Sequence, residues 1–100
     1  MVHEVVKKQI DFEKFNKDKK ILVFHATWCG PCRMYGPILE EVGSKGYEIF
    51  KIDVDKDREF TREFGIKNTP STLFFKNGEL KEKVIGFKSA DELIDLINKI

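Results

Sequence analysis

The chain contains only two cysteines, Cys29 and Cys32, separated by two residues. Thiols at that spacing point either to disulfide exchange or to half of a metal site. Structural zinc usually takes four ligands. Beyond the two cysteines only His3 and His25 offer nitrogen donors, one at the chain start and one on an apolar core strand, so no metal site is expected. In disulfide exchange the attacking species is the thiolate. A strand that ends in a short loop and opens into a helix sets Cys29 at the helix N-terminus. There, free amide hydrogens and the positive end of the helix dipole stabilise a negative sulfur. Cys32 lies one turn further on the same face and is poised to attack a mixed disulfide held on Cys29, an intramolecular and therefore fast step. Gly30 lets a partner backbone come close, Pro31 stiffens the turn, and Arg33 reads as a surface arginine.

The flanking pattern supplies the elements this arrangement needs. Val2 to Val6 reads as an edge strand, and Asp11 caps a short helix carrying Phe12 and Phe15. Lys20 to Ala26 is nearly all apolar, as expected of a central strand buried on both faces. A loop with Thr27, Trp28 and Cys29 leads to a helix from Gly30 to about Lys45, with Pro31 in its first turn and a kink expected at Pro37. Its buried stripe is read as Met34, Ile38, Leu39 and Val42, with Gly43 and Gly46 marking the exit. Tyr47 to Val54 is a second core strand, and Glu59 to Phe64 a short helix ending at Gly65. Strands Thr72 to Lys76 and Leu80 to Ile85 flank Asn77-Gly78, a strong hairpin signal. Ser89 to Glu92 is a capping box that opens a last helix with Leu93, Leu96, Ile97 and Ile100 inward. The order β-α-β-α-β-α-β-β-α predicts an α/β fold: a mixed sheet of about five strands flanked by four helices, with right-handed parallel crossovers.

Composition narrows the class. The chain has 100 residues, which suits one domain spanning 1–100. Its net charge is +1 with both signs interspersed, and Asp18 breaks the one basic run, Lys17 to Lys20, so no nucleic-acid partner is expected. Apolar stretches are far too short for a membrane span. The N-terminal residues have no signal-peptide pattern, and two close cysteines suit a reducing compartment, so the expected location is cytoplasmic.

Trp28-Cys29-Gly30-Pro31-Cys32 resembles the active site of the thioredoxin family. The likeness runs along nearly the whole chain: Ile21-Leu22-Val23-Phe24, Pro37 to Glu41, Lys51 to Asp55, Gly65 to Pro70 and Phe75 to Glu79 each match a family segment. The resemblance implies a protein disulfide reductase that needs no cofactor beyond a redox-active Cys29–Cys32 disulfide. It implies protein disulfides as substrates, a thioredoxin reductase as electron donor and a monomer. It also implies a cis Thr69–Pro70 bond beside the cysteines and a docking surface made by Trp28, Val54, Thr69, Pro70, Ile85 and Gly86. A binding module of the same fold, used for its surface and not its thiols, is the alternative.

Two positions depart from the family. Val23 stands where a buried aspartate usually serves as proton carrier for the second cysteine, and His25 stands where a tryptophan is common. Lys51 matches the lysine that neighbours that aspartate and has lost its partner here. His25 shares strand parity with Val23. It either fills the tryptophan's space or takes over part of the proton transfer.

Overall fold

The computed structural model describes all residues from Met1 to Ile100. The elements are β1 (Val2–Glu4), α1 (Phe12–Phe15), β2 (Lys19–His25), α2 (Gly30–Ser44), β3 (Ile49–Asp53), α3 (Arg58–Glu63), β4 (Ser71–Lys76), β5 (Glu79–Ile85) and α4 (Ala90–Lys99), with a 3₁₀ turn at Lys7–Gln9. The five strands form one sheet in the order β1-β3-β2-β4-β5. β1, β3 and β2 run parallel, while β4 and β5 are antiparallel additions. β1 stops at Glu4, short of the expected end at Val6, and Val6 instead caps the 3₁₀ turn.

Alternation along the strands builds a core on each face. Ile21, Val23, Ile49 and Phe74 pack with Tyr35, Leu39 and Val42 of α2 and with Leu93 and Ile97 of α4. Leu22, Phe24, Ile52, Leu73 and Phe75 pack on the opposite face with Phe15 of α1 and Phe60 of α3. β2 lies at the centre and feeds both cores, which is why Ile21 to Phe24 read as an unbroken apolar run. Carboxylate and hydroxyl caps start the helices: Asp11 accepts from the Glu13 amide, Asp57 from Phe60 and Ser89 from Glu92. Asn77 and Gly78 both adopt positive φ, as a two-residue hairpin of this twist requires.

Two expectations for α2 need correcting. Its buried stripe runs through Cys32, Tyr35, Leu39 and Val42, whereas Met34 is 67% exposed. Met34 sits two residues beyond Cys32, about 200° around the helix, so both cannot face the sheet. Gly43 is not an exit residue but a buried helical position; a β-carbon there would come within 2.9 Å of Val2 Cγ2. The helix stops beyond it, near Gly46 at φ +97°.

Tyr35 carries one of the few polar groups in this core. Its hydroxyl lies 2.8 Å from Thr72 Oγ1, and burial pushes the phenol up to about 12. Removing the Tyr35 hydroxyl strands Thr72. Tyr35→Phe should therefore lower the unfolding free energy by about 1–3 kcal/mol, and adding Thr72→Val should recover part of the loss. Urea titrations of the single and double variants test this.

Candidate active site

β2 delivers the chain to the end of the sheet, and the next turn is tied down at once. The Cys29 amide donates to Ala26 O at 3.3 Å. Cys29 is the N-cap of α2, with extended backbone, and its Sγ accepts the Cys32 amide at 3.3 Å. Gly30 and Pro31 form the exposed first turn, with open space where a Gly30 β-carbon would stand. Cys29 and Cys32 are joined as a disulfide, their Cα atoms 5.3 Å apart. Both residues are nearly buried, 6% and 7% exposed, and pack on Ala26 with Val54 against them.

Three other segments converge on the pair. The Thr69–Pro70 peptide is cis, and Thr69 O lies 3.4 Å from Cys29 Sγ. The Gly86 amide donates to Pro70 O, which brings the end of β5 alongside and leaves Ile85 exposed. Trp28 is 67% exposed yet oriented, because its indole N–H donates to Asp55 Oδ2 at 2.8 Å. The Asp55 amide in turn donates to Asp53 Oδ1. Trp28, Cys29, Val54, Ile66 and Thr69 line an open groove of about 520 Å³ into which Cys29, and not Cys32, opens. A larger depression of about 640 Å³ lies between the 3₁₀ turn and α3, away from the thiols.

Two residues of the site carry no motif of their own: Asp55, whose one signal in the sequence is its place two residues beyond Asp53 at the end of a core strand, and Phe87, exposed beside Ile85 and Gly86 with its ring 5.8 Å from that of Tyr35.

Under the first turns of α2, Val23 is fully buried in apolar surroundings. Lys51 stands beside it in register, flanked on its other side by Glu4, and makes no ion pair. His25 ends β2 opposite Asp53. Its Nε2 lies 3.1 Å from Glu4 Oε1, off the direction of a hydrogen bond, so this buried nitrogen has no well-aligned partner. Burial first, and Lys51 second, hold the imidazole below its ordinary 6.5; Glu4 and Asp53 oppose them.

A disulfide spanning the first turn of a helix, beside a groove on an α/β sheet, defines a dithiol–disulfide oxidoreductase. A family model described as Thioredoxin matches residues 2–99. The thioredoxin of Listeria monocytogenes is 41% identical over 103 residues, covering 99% of this chain and 98% of that one. That of Mycoplasmoides gallisepticum is 39% identical over 100 residues, covering 97% and 99%. Among solved structures, reduced Schistosoma mansoni thioredoxin pre-protein superposes with a TM-score of 0.88 at 31% identity, covering 98% and 96%. A mutant thioredoxin from Halobacterium salinarum gives 0.89 at 31%, covering 98% and 88%. The chain belongs to the thioredoxin family. Its fold is the thioredoxin fold and its chemistry is thiol–disulfide exchange. No helix is long and apolar enough to cross a membrane.

The depressed His25 has a consequence for stability. Well above pH 6.5 the imidazole is neutral whether the chain is folded or not. Below it the unfolded chain takes up a proton that the fold resists, so the unfolded state binds more protons and stability falls as the pH drops. Urea midpoints at mildly acidic and neutral pH should therefore differ less in His25→Gln than in the wild type.

Proposed function

We propose that this chain reduces protein disulfides in the cytoplasm, with Cys29 as the attacking thiol and Cys32 as the resolving one. The observation that carries the assignment is that Cys29, alone of the pair, opens onto the groove. Its sulfur is also the N-cap acceptor, so the same amide that starts the helix stabilises the thiolate.

The Cys29 thiolate attacks one substrate sulfur, the substrate S–S bond breaks, and the first substrate sulfur leaves as a thiolate that takes a proton from water. Cys32 then loses its proton and attacks Cys29 Sγ; the mixed disulfide breaks and releases the second thiol. Two electrons have passed to the substrate, and the protein is left with the Cys29–Cys32 disulfide. The pair is thus its own redox group, with no added cofactor, and a thioredoxin reductase restores the dithiol. A reducing compartment suits a carrier that must be returned to that form.

Substrate recognition follows from the surface around Cys29. Trp28, Val54 and Ile85 offer apolar contact, while the Thr69 backbone beside Pro70 pairs with an extended substrate strand. Gly86 keeps that edge low. The protein acts as a monomer, because the docking surface needs no second copy.

Cys29→Ser should abolish insulin reduction coupled to thioredoxin reductase. Cys32→Ser should retain the first attack and accumulate a mixed disulfide, because resolution loses an intramolecular advantage of about 10⁵ M or more in effective concentration. Mass spectrometry of the trapped adduct distinguishes the two roles; an adduct on Cys32 in Cys29→Ser and none on Cys29 in Cys32→Ser would reverse the assignment.

A further inference from the structure

The groove beside Cys29 takes much of its wall from apolar side chains, those of Trp28, Pro31, Val54 and Ile66. Among its lining residues Lys67 alone carries a charge. Lys67 is exposed on the rim and makes no ion pair. Asp55, the carboxylate bonded to the Trp28 indole, does not line the groove, and its Oδ2 is already engaged. The wall that an arriving substrate meets therefore offers one unpaired positive charge and no acidic side chain. A charge set beside an apolar wall is screened less than one surrounded by water.

The backbone that carries Lys67 is held on both sides. Gly65, at φ +61°, turns the chain out of α3, and the Ile66 amide donates back to Thr61 O at 3.2 Å. After Lys67, Asn68 O accepts from Ser71 Oγ at 2.6 Å, and Thr69 O lies 3.4 Å from Cys29 Sγ. The ammonium therefore swings from a fixed root, two residues before the carbonyl that stands against the reacting sulfur. Successive residues of an extended strand advance about 3.3 Å. A substrate strand lying along Thr69 thus carries the residues next to its cysteine past Lys67.

We propose that Lys67 is a specificity-determining residue: the chain reduces most readily those protein disulfides that have an acidic residue beside the cysteine attacked by Cys29. The inference deepens the reductase reading and rests on Cys29 as the attacking thiol. The ammonium acts in two ways. It pairs with the flanking carboxylate, and it offsets the Cys29 thiolate, which by itself would repel an acidic substrate. A basic flank meets Lys67 as a like charge, and that repulsion adds to the selection. Such complementarity works mainly on the rate of productive encounter, so it shows in the rate of reduction and weakens with salt.

Disulfide-linked peptide dimers that differ only in the residue beside the cysteine, glutamate, glutamine or lysine, provide the test. The reduced protein is mixed with each in a single turnover without reductase, the reaction is stopped with acid, and the released peptide thiol is measured. Each rate is divided by that of dithiothreitol on the same peptide, which removes the intrinsic reactivity of the disulfide. At low ionic strength the glutamate peptide should react about tenfold faster than the lysine peptide. In roughly 1 M salt, where the screening length is about 3 Å, that ratio should fall toward one. Lys67→Gln should bring the low-salt ratio to one or below, and Lys67→Glu should invert it. Lys67 is exposed and unpaired, so neither variant removes an ion pair that the fold uses. A wild-type ratio near one overturns the proposal, as does a ratio that Lys67→Glu leaves unchanged. Equal slowing of every peptide in Lys67→Gln, with the ratio kept, also overturns it, because Lys67 then acts on the Cys29 thiolate and not on the substrate. A reduced protein that leaves every peptide oxidised while dithiothreitol reduces them overturns the reductase reading instead, so the two failures are distinguishable.

Discussion

The site depends on one contact, the amide of Cys32 donating to the sulfur of Cys29 at the start of α2. It makes the reacting sulfur the N-cap of the helix. The charge that the chemistry needs on that sulfur is then the charge that a helix N-terminus favours. Every surrounding element serves that position. β2 brings the backbone to it from the middle of the sheet, Ala26 anchors the turn, and α2 is held to the sheet by Tyr35, Leu39 and Val42. Thr69 and Trp28 then define what reaches the sulfur, one through its carbonyl and the other through an indole fixed by Asp55.

Beneath that contact few polar groups are buried. The strand position under the active helix carries valine, and its antiparallel neighbour Thr72 carries the hydroxyl that Tyr35 satisfies. Charge is displaced sideways, toward the β1 edge, where Glu4, Lys51, Asp53 and His25 stand on adjacent strands. Placing the charges there leaves the centre apolar, and their side chains retain a route to water through Glu4, which is more than half exposed. A buried carboxylate at the centre would instead have needed a partner at the same depth.

Much of this was legible in the residues. Continuous apolar runs marked β2 and β4, Asn77-Gly78 marked the hairpin, and Ser89 with Glu92 marked the start of α4, because each feature is a short-range requirement of backbone geometry. The cysteine pair was legible for the same reason: its spacing and its place between strand and helix are local. Hydrophobic type favours Met34 over Tyr35 for the buried stripe, whereas helical phase puts Tyr35 inward and Met34 in solvent. Only the position of Cys32 against the sheet decides which side of the helix is inward. Gly43 looked like punctuation and proved to be a contact surface for β1.

The sequence by itself determined the element order, the helix caps, the helix-terminal cysteine and the two departures at Val23 and His25. Those follow from interactions between residues a few positions apart. Tertiary structure alone decided which distant groups meet: Asp55 with Trp28, Thr72 with Tyr35, and Glu4 with His25. Strand order β1-β3-β2 sets Glu4 within reach of His25, far along the chain, and pairing across β3 depends on the whole sheet closing. The Trp28-Cys29-Gly30-Pro31-Cys32 segment therefore announces its chemistry on its own, while the groove beside Cys29 and the carboxylate that orients Trp28 are properties of the assembled sheet.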